Sequence, residues 1–261
     1  MVPANLLMTI QSFRDFFPPQ VVTLTSDRSM DFQLPEESPV LSPAQREFLA
    51  RQLGFKLPAA GSPRGEVFTI RQVHGNRIVV AGTESFRISN APEEADGILT
   101  DVPGLPIAVR TADCLPVFIY DPRHEGIGLI HAGWRGTRQQ ILGETLALMR
   151  RHWNSRPADL RIAFGPAIRV CCYQVGQQFR EYFPEETVQR DNGYFLDLPA
   201  VNKNQILRLG VEARHVFDSA VCTCCEPAYF SHRREGEAAG RMISLMMLKK
   251  EEILKCISLF L

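Results

Sequence analysis

Short apolar runs crowd the middle of this chain before any long helical period begins. Val67–Val73, Ile78–Ala81, Ile98–Thr100, Leu105–Arg110, Val117–Tyr120 and Gly126–His131 are rich in β-branched residues and are bounded by Gly, Pro or Asp, the pattern of successive strands. Strands and helices do not alternate strictly, so the pattern predicts an α+β chain: a layered sandwich with mixed β-sheets flanked by helices, not a doubly wound parallel sheet. Ser42-Pro43-Ala44-Gln45 is a helix start, with Ser42 as cap, Pro43 at the first helical position and Gln45 reaching back. Ala44, Phe48, Leu49 and Leu53 then share a face and Gly54 closes the helix. Gly136-Thr137 opens a second helix, in which Leu142, Leu146, Met149 and Trp153 fall at helical spacing. Val21–Thr25, Leu160–Phe164 and Met242–Met247 read as further strands, and Pro199–Leu209 as a helix.

With 261 residues, 45% of them hydrophobic, the chain can bury one large core. No repeat, low-complexity tract or linker divides it. It reads as one domain over residues 1–261, with a leader lobe over 1–62 and a core over 63–261. Lys+Arg and Asp+Glu both number 29, giving a formal net charge of zero. No basic stripe is present, which argues against nucleic acid as the main partner. No apolar run reaches the roughly 18 residues that span a bilayer, so no membrane partner is expected. The start of the chain has no export signal, and its seven cysteines then read as reduced thiols in a cytoplasm. The tail Ile253–Leu261 reads as a last packed element. Nothing in the sequence sets an oligomeric state, and no GxGxxG or GxxxxGK[ST] loop is present.

Three stretches place a reactive side chain at the end of a predicted strand, beside small or turn residues: Gln72-Val73-His74-Gly75, Arg110-Thr111-Ala112-Asp113-Cys114 and His131-Ala132-Gly133-Trp134-Arg135-Gly136. Strand ends are where loops shape pockets. Two His and one Cys can form a three-ligand zinc site with an open fourth position, although these three lie 40 and 17 residues apart and no local spacing rule joins them. Cys171-Cys172 and Cys222-x-Cys224-Cys225 offer a second set of thiols. Adjacent residues of a strand face opposite ways, so Cys171 and Cys172 reach one ion only through a bend. Otherwise these five thiols read as small buried hydrophobes, as does Cys256. His124 lies in a turn signature and reads as solvated, as does Glu93-Glu94.

The segments RQVHG, ADGILTD, RTADCLPV, GLIHAGWRGT, GPAIRVCCYQVG and FSHRREGEAAGR, in that order between about Val67 and Leu248, resemble the YfiH / laccase-domain family. That family was once called multicopper polyphenol oxidase and is now associated with purine nucleoside phosphorylase activity. The resemblance implies zinc on His74, Cys114 and His131, and a layered fold shared with bacterial deamidating toxins. It also implies phosphorolysis of adenosine, inosine, guanosine and methylthioadenosine, with adenosine deamination beside it. The leader lobe departs from the pattern. The family's TTRxGGVSxGPYxSLN-type segment is replaced by Leu24-Thr25-Ser26-Asp27-Arg28-Ser29-Met30, in which Arg28 stands for the usual Arg and the glycine-rich loop is missing.

Phosphorolysis needs an anion site beside the sugar, and Arg110 and Arg135, close to ligand positions, are the candidates. Asp113, next to Cys114, is the candidate proton-carrying acid, or else a partner that orients a ligand. Arg71 and Gln72 beside His74, with Arg28, His232 and Arg233, are candidates for substrate contact. Two other readings use the same residues. Cys114 with His131 or His74 can act as a thiolate–imidazole pair on amides, as in peptidoglycan-precursor editing. A member with an altered leader lobe can also bind metal or nucleoside without turnover. Copper fits less well, because the six histidines contain no HxH pair.

Overall fold

The computed structural model of the chain describes residues 13–34, 40–54, 67–82 and 93–249. In chain order these form β1 (Val21–Thr25), α1 (Pro43–Leu53), β2 (Ile78–Val80), β3 (Gly97–Thr100), β4 (Ile107–Thr111), β5 (Leu115–Asp121) and β6 (Gly126–Ala132). There follow α2 (Trp134–Arg138), α3 (Ile141–Trp153), β7 (Arg161–Phe164), β8 (Gln174–Val175), α4 (Phe179–Tyr182), β9 (Thr187–Arg190) and β10 (Gly193–Leu196). The last elements are α5 (Leu198–Arg208), β11 (Val216–Asp218), α6 (His232–Glu235) and β12 (Met242–Leu248).

Six strands lie in the order β11-β7-β5-β6-β3-β2. The outer pairs β11–β7 and β2–β3 are parallel and the rest antiparallel, so the predicted mixed sheet is present. Alternation along β5 and β6 sorts their side chains to two faces. Val117, Ile119, Ile130 and Ala132 meet Leu142, Leu146 and Met149 of α3 and Val201 and Ile206 of α5. Phe118, Tyr120, Ile127 and Leu129 meet Ile107, Val109 and Met246 of a second, antiparallel sheet ordered β1-β12-β4. The far face of that sheet, Leu24, Ala108, Ile243 and Leu245, is covered by Phe48 and Leu49 of α1. The layers therefore run helix, sheet, sheet, helix. Strands covered on both faces read as continuous apolar runs, and each fully buried Val, Leu, Ile or Phe contributes roughly 1.5–3 kcal/mol relative to exposure. A small antiparallel sheet, β8-β10-β9, lies outside these layers.

Several expectations need correction. Residues 67–73 form only isolated bridges, Phe68 with Ile107 and Arg71 with Glu94. The chain there turns so that the amides of Val73, His74 and Gly75 all reach the Asp96 carboxylate. The helix expected from Gly136 begins earlier, at Trp134, and is interrupted where Gln140 enters the left-handed region at φ 60°; α3 then carries Leu142, Leu146, Met149 and Trp153 inward. Helix α1 has the expected cap, capping box and left-handed Gly54. Its inward face, however, uses Gln45 in place of Ala44, because the Gln45 amide also donates to the Asp31 carbonyl at 2.8 Å. Within the leader lobe, β1 pairs in antiparallel register with β12, from Val21 opposite Leu248 to Thr25 opposite Ser244. Glu93 and Glu94 are exposed, as expected, and pair with Arg77 and Arg71, while Asp121 accepts from the His124 ring at 2.8 Å and from the Arg123 amide at 2.8 Å. Cys256 and the Ile253–Leu261 tail lie outside the described residues. No helix among the described residues is long and apolar enough to cross a membrane.

Candidate functional site

The end of β4, the start of β5 and the end of β6 meet at one edge of the stacked sheets, and there His74, Cys114 and His131 come together. Their ligand atoms all lie within 4.8 Å of one another, and the two imidazole rings meet edge to face with centroids 4.8 Å apart. The three differ in access: His131 is 3% exposed, Cys114 is half-buried and His74 is exposed. The donors thus close one side of a site and leave the other open.

Asp96, fully buried just before β3, positions both histidines. Its Oδ1 lies 2.8 Å from His131 Nδ1. A carboxylate only accepts, so the ring proton sits on Nδ1 and Nε2 is left for a metal or for Cys114. The same carboxylate accepts from the amides of His74 at 2.9 Å and Gly75 at 2.6 Å, holding His74 at φ 59°. Burial raises the Asp96 pKa, but the His131 hydrogen bond and charge and these amides bring it below the ordinary carboxylate value. Burial likewise pushes the Cys114 thiol up, while His131 and His74, by charge and hydrogen bond, pull it down to about 6. For His131, burial favours the neutral ring, but the Cys114 thiolate and Asp96 hold its pKa up at about 9.

Two glycines of the HAGWRG segment are fixed by close approach. A Cβ on Gly133 would lie 3.2 Å from both Cys114 Sγ and His74 Cδ2, so the bare backbone leaves the donors their space. A Cβ on Gly136 would lie 2.5 Å from the Gly75 carbonyl oxygen, which only a glycine in α2 avoids.

The triad opens into a pocket of about 670 Å³, within the roughly 300–1,000 Å³ usual for small-molecule sites. Arginines dominate its wall. Arg110, Arg135, Arg233 and Arg241 all line it, and none pairs with a carboxylate among the described residues. Arg110 is half-buried. Burial, with the Arg241 charge beside it, lowers its pKa from the ordinary value. Arg135 stands over the Trp134 ring at 4.7 Å and Arg233 near Tyr173 at 5.5 Å, so the cations are interleaved with aromatic faces. Burial, with the Cys114 and Asp113 charges, raises the Tyr173 phenol. The buried Thr111 hydroxyl has no hydrogen-bond partner among the described residues and also lines the pocket.

The sequence-predicted residues divide by what their polar atoms already do. Arg110, Arg135, His232 and Arg233 line the pocket; the Arg233 guanidinium also donates to the Gln174 carbonyl at 2.8 Å and that of Arg110 to the Ile70 carbonyl at 3.5 Å. Gln72 lines it too, but its amide is committed: it donates to the Arg110 carbonyl at 2.7 Å and accepts from the Arg110 amide at 2.8 Å. Asp113, at φ 90°, accepts from the Thr223 hydroxyl at 2.7 Å and the Arg233 amide at 2.6 Å, so both its oxygens tie neighbouring loops to the Cys114 strand. Arg71 lines the rim and pairs with Glu94. Arg28 is not brought into the pocket; it pairs with Glu235 at 3.1 Å and stacks on Phe230. Sequence reasoning missed Asp96, Tyr173 and Arg241. The signal for Asp96 was a charge opening the apolar strand in ADGILTD; Arg241 closes FSHRREGEAAGR just before β12.

The family model described as multi-copper polyphenol oxidoreductase laccase matches residues 44–249. A purine nucleoside phosphorylase, YlmD, of Geobacillus stearothermophilus is 37% identical over 196 residues, covering 69% of this chain and 71% of that one. A purine nucleoside phosphorylase of Bacteroides thetaiotaomicron is 34% identical over 194 residues, covering 69% and 72%. Among solved structures, YlmD of G. stearothermophilus superposes with a TM-score of 0.73 at 28% identity, over 89% of this chain and 93% of that one. YfiH of Bacillus licheniformis does so with a TM-score of 0.72 at 29% identity, over 88% and 93%.

Proposed function

The chain belongs to the multi-copper polyphenol oxidoreductase laccase family, of which YfiH and YlmD are members, and from that premise we propose that it is a zinc-dependent purine nucleoside phosphorylase. The observation that carries the reading is the set of arginines without carboxylate partners on the wall beside the His74–Cys114–His131 triad. The names of the relatives point the same way.

The residues fit an ion. Two imidazoles and a thiolate suit zinc, and an open side marks a working site more than a structural one. The cradle that a Gly133 Cβ would fill, and the His131 tautomer set by Asp96, both leave donors aimed at one point. When bound, zinc supplies Lewis-acid polarisation of a substrate group at that open side. Arg110 and Arg241 hold the phosphate, with Arg135 and Arg233 at hand for its remaining oxygens. Trp134 and Tyr173 offer faces for the purine. Asp113 ties the first turn of α6, through the Arg233 amide, to the segment carrying Cys114 just before β5. Phosphorolysis then joins an oxygen of hydrogen phosphate to the sugar's anomeric carbon as the bond to the purine nitrogen breaks, and the proton of that phosphate goes to the leaving base. Adenosine, inosine, guanosine and methylthioadenosine are the proposed substrates, in the cytoplasm.

The deciding experiment measures metal content and follows adenosine chromatographically with and without phosphate. The expected result is about one ion held by the triad and adenine released only with phosphate. Inosine formed without phosphate would instead mean deamination. A second reading is favoured by one observation, the lowered Cys114 pKa beside the raised His131 pKa: without metal this pair is a nucleophile for amides. Hydrolysis of an amide substrate that survives chelation and is lost in Cys114→Ser would establish it in place of phosphorolysis.

A further inference from the structure

Four thiols outside the pocket converge on one point, and the function above uses none of them. Cys171 and Cys172 do not lie on a strand. The amides of Cys172 and Tyr173 both donate to the Arg169 carbonyl at 2.9 Å, and this turn lets adjacent residues aim the same way, which a strand would forbid. Cys222 and Cys225 stand at CxxC spacing on a second turn, closed by the Glu226 amide donating to the Cys222 carbonyl at 2.9 Å. The two turns are laced together by the parallel bridge between Ala167 and Cys222 and by the Thr223 amide donating to the Ala167 carbonyl at 3.1 Å.

The sulfurs of Cys171, Cys172, Cys222 and Cys225 all lie within 4.8 Å of one another. Cys225 Sγ is 3.5 Å from Cys171 Sγ and 3.3 Å from Cys172 Sγ. A tetrahedral ion bound to four sulfurs at about 2.3 Å sets them about 3.8 Å apart, so this cluster is of the right size. A disulfide would take two sulfurs and leave two, and Cys225 is nearly equidistant from its two neighbours. The reading of these thiols as buried hydrophobes is corrected, because Cys171 and Cys225 are exposed. At Cys222 the surroundings suit negative sulfur, because backbone amides of Arg169, Cys224 and Cys225 point at it, whereas burial and the neighbouring thiols push Cys171 and Cys172 up in the absence of a cation. The Arg169 guanidinium, held by Asp218 in two 2.7 Å hydrogen bonds, also acts on Cys222.

We propose that Cys171, Cys172, Cys222 and Cys225 form a closed four-thiolate site for a thiophilic divalent cation, zinc foremost. Each thiol gives up its proton to solvent on binding, and the fourfold set leaves no open position for chemistry. The ion clamps two turns that carry part of the pocket wall: Tyr173 follows the first, and Thr223 of the second donates to Asp113 beside Cys114. The site is independent of the triad, so its fate is separable from that of the phosphorylase reading.

The test is native mass spectrometry of reduced protein supplied with zinc, with cobalt as the spectroscopic probe. Wild type is expected to hold two ions and His74→Ala one, and the cobalt form of His74→Ala is expected to show the intense charge-transfer absorption of a four-thiolate tetrahedral site. Cys225→Ser loses that signal and keeps the triad ion. Cys171→Ser, at an exposed position, covers the case in which Cys225→Ser fails to fold, and is expected to weaken the signal likewise. Reduced His74→Ala that holds no ion overturns the proposal, as does a Cys225 disulfide with no ion bound in freshly isolated protein.

Discussion

The two thiol-bearing clusters of this molecule are built on different supports. His74, Cys114 and His131 sit at or beside strand ends, are graded from buried to exposed, and have Asp96 behind them fixing one ring and one loop. The four cysteines sit on two laced turns, and backbone amides point at one of their sulfurs. Strand ends braced by a buried carboxylate hold donors rigidly while leaving one side free, and here that side faces an arginine-lined pocket. Turns wrap their donors around a point and face no substrate. The difference teaches that donor geometry, more than donor identity, separates a place where chemistry happens from a place that holds the chain together.

The sharpest way to break this comparison is to remove a donor from the open cluster. His131→Ala is expected to reduce phosphate-dependent base release to the level of the metal-free protein, as read by chromatography. Asp96→Asn comes next. It leaves all three donors in place but weakens their support, and metal affinity should fall roughly 10–100-fold in a competition titration with a chelator. A full-affinity Asp96→Asn would show that Asp96 is not what positions the triad. Arg241→Ala should raise the KM for phosphate about tenfold to a hundredfold, the value of a lost charged hydrogen bond, with metal content unchanged. Arg28→Ala sharpens the comparison from the other side. Its surface pair with Glu235 contributes only about 0–1 kcal/mol to stability, and the KM for phosphate should stay at the wild-type value.

The layered fold was legible because β5, β6 and β12 are buried on both faces and so spell out their length in unbroken apolar runs. Residues 67–73 also read as a strand yet form none: the Phe68 and Arg71 amides go to the Pro106 and Glu93 carbonyls, and the Val73 amide turns, with those of His74 and Gly75, to the carboxylate of Asp96, 22 positions after His74. Propensity cannot register such a partner. Cys114 and His131 were legible as chemical types at strand ends, whereas His74 was noticed at the end of a run that does not form a strand. Asp96 was not, because a single carboxylate before a strand looks like a turn residue until its four partners are known. Arg241 was missed because its neighbour in space, Arg110, lies on a different strand. The cysteine turn was misjudged for a different reason: its hydrogen bonds to the Arg169 carbonyl are local, but no Gly, Pro, Asn or Asp between Arg169 and Tyr173 marks a turn.

The most direct test of the account is to strip the protein of metal and restore zinc stepwise while following adenine release from adenosine at saturating phosphate. The account predicts that activity returns in proportion to the ion that His74→Ala cannot hold, and that no base appears when phosphate is withheld. Undiminished adenine release from the stripped protein, or release that ignores phosphate, would contradict it.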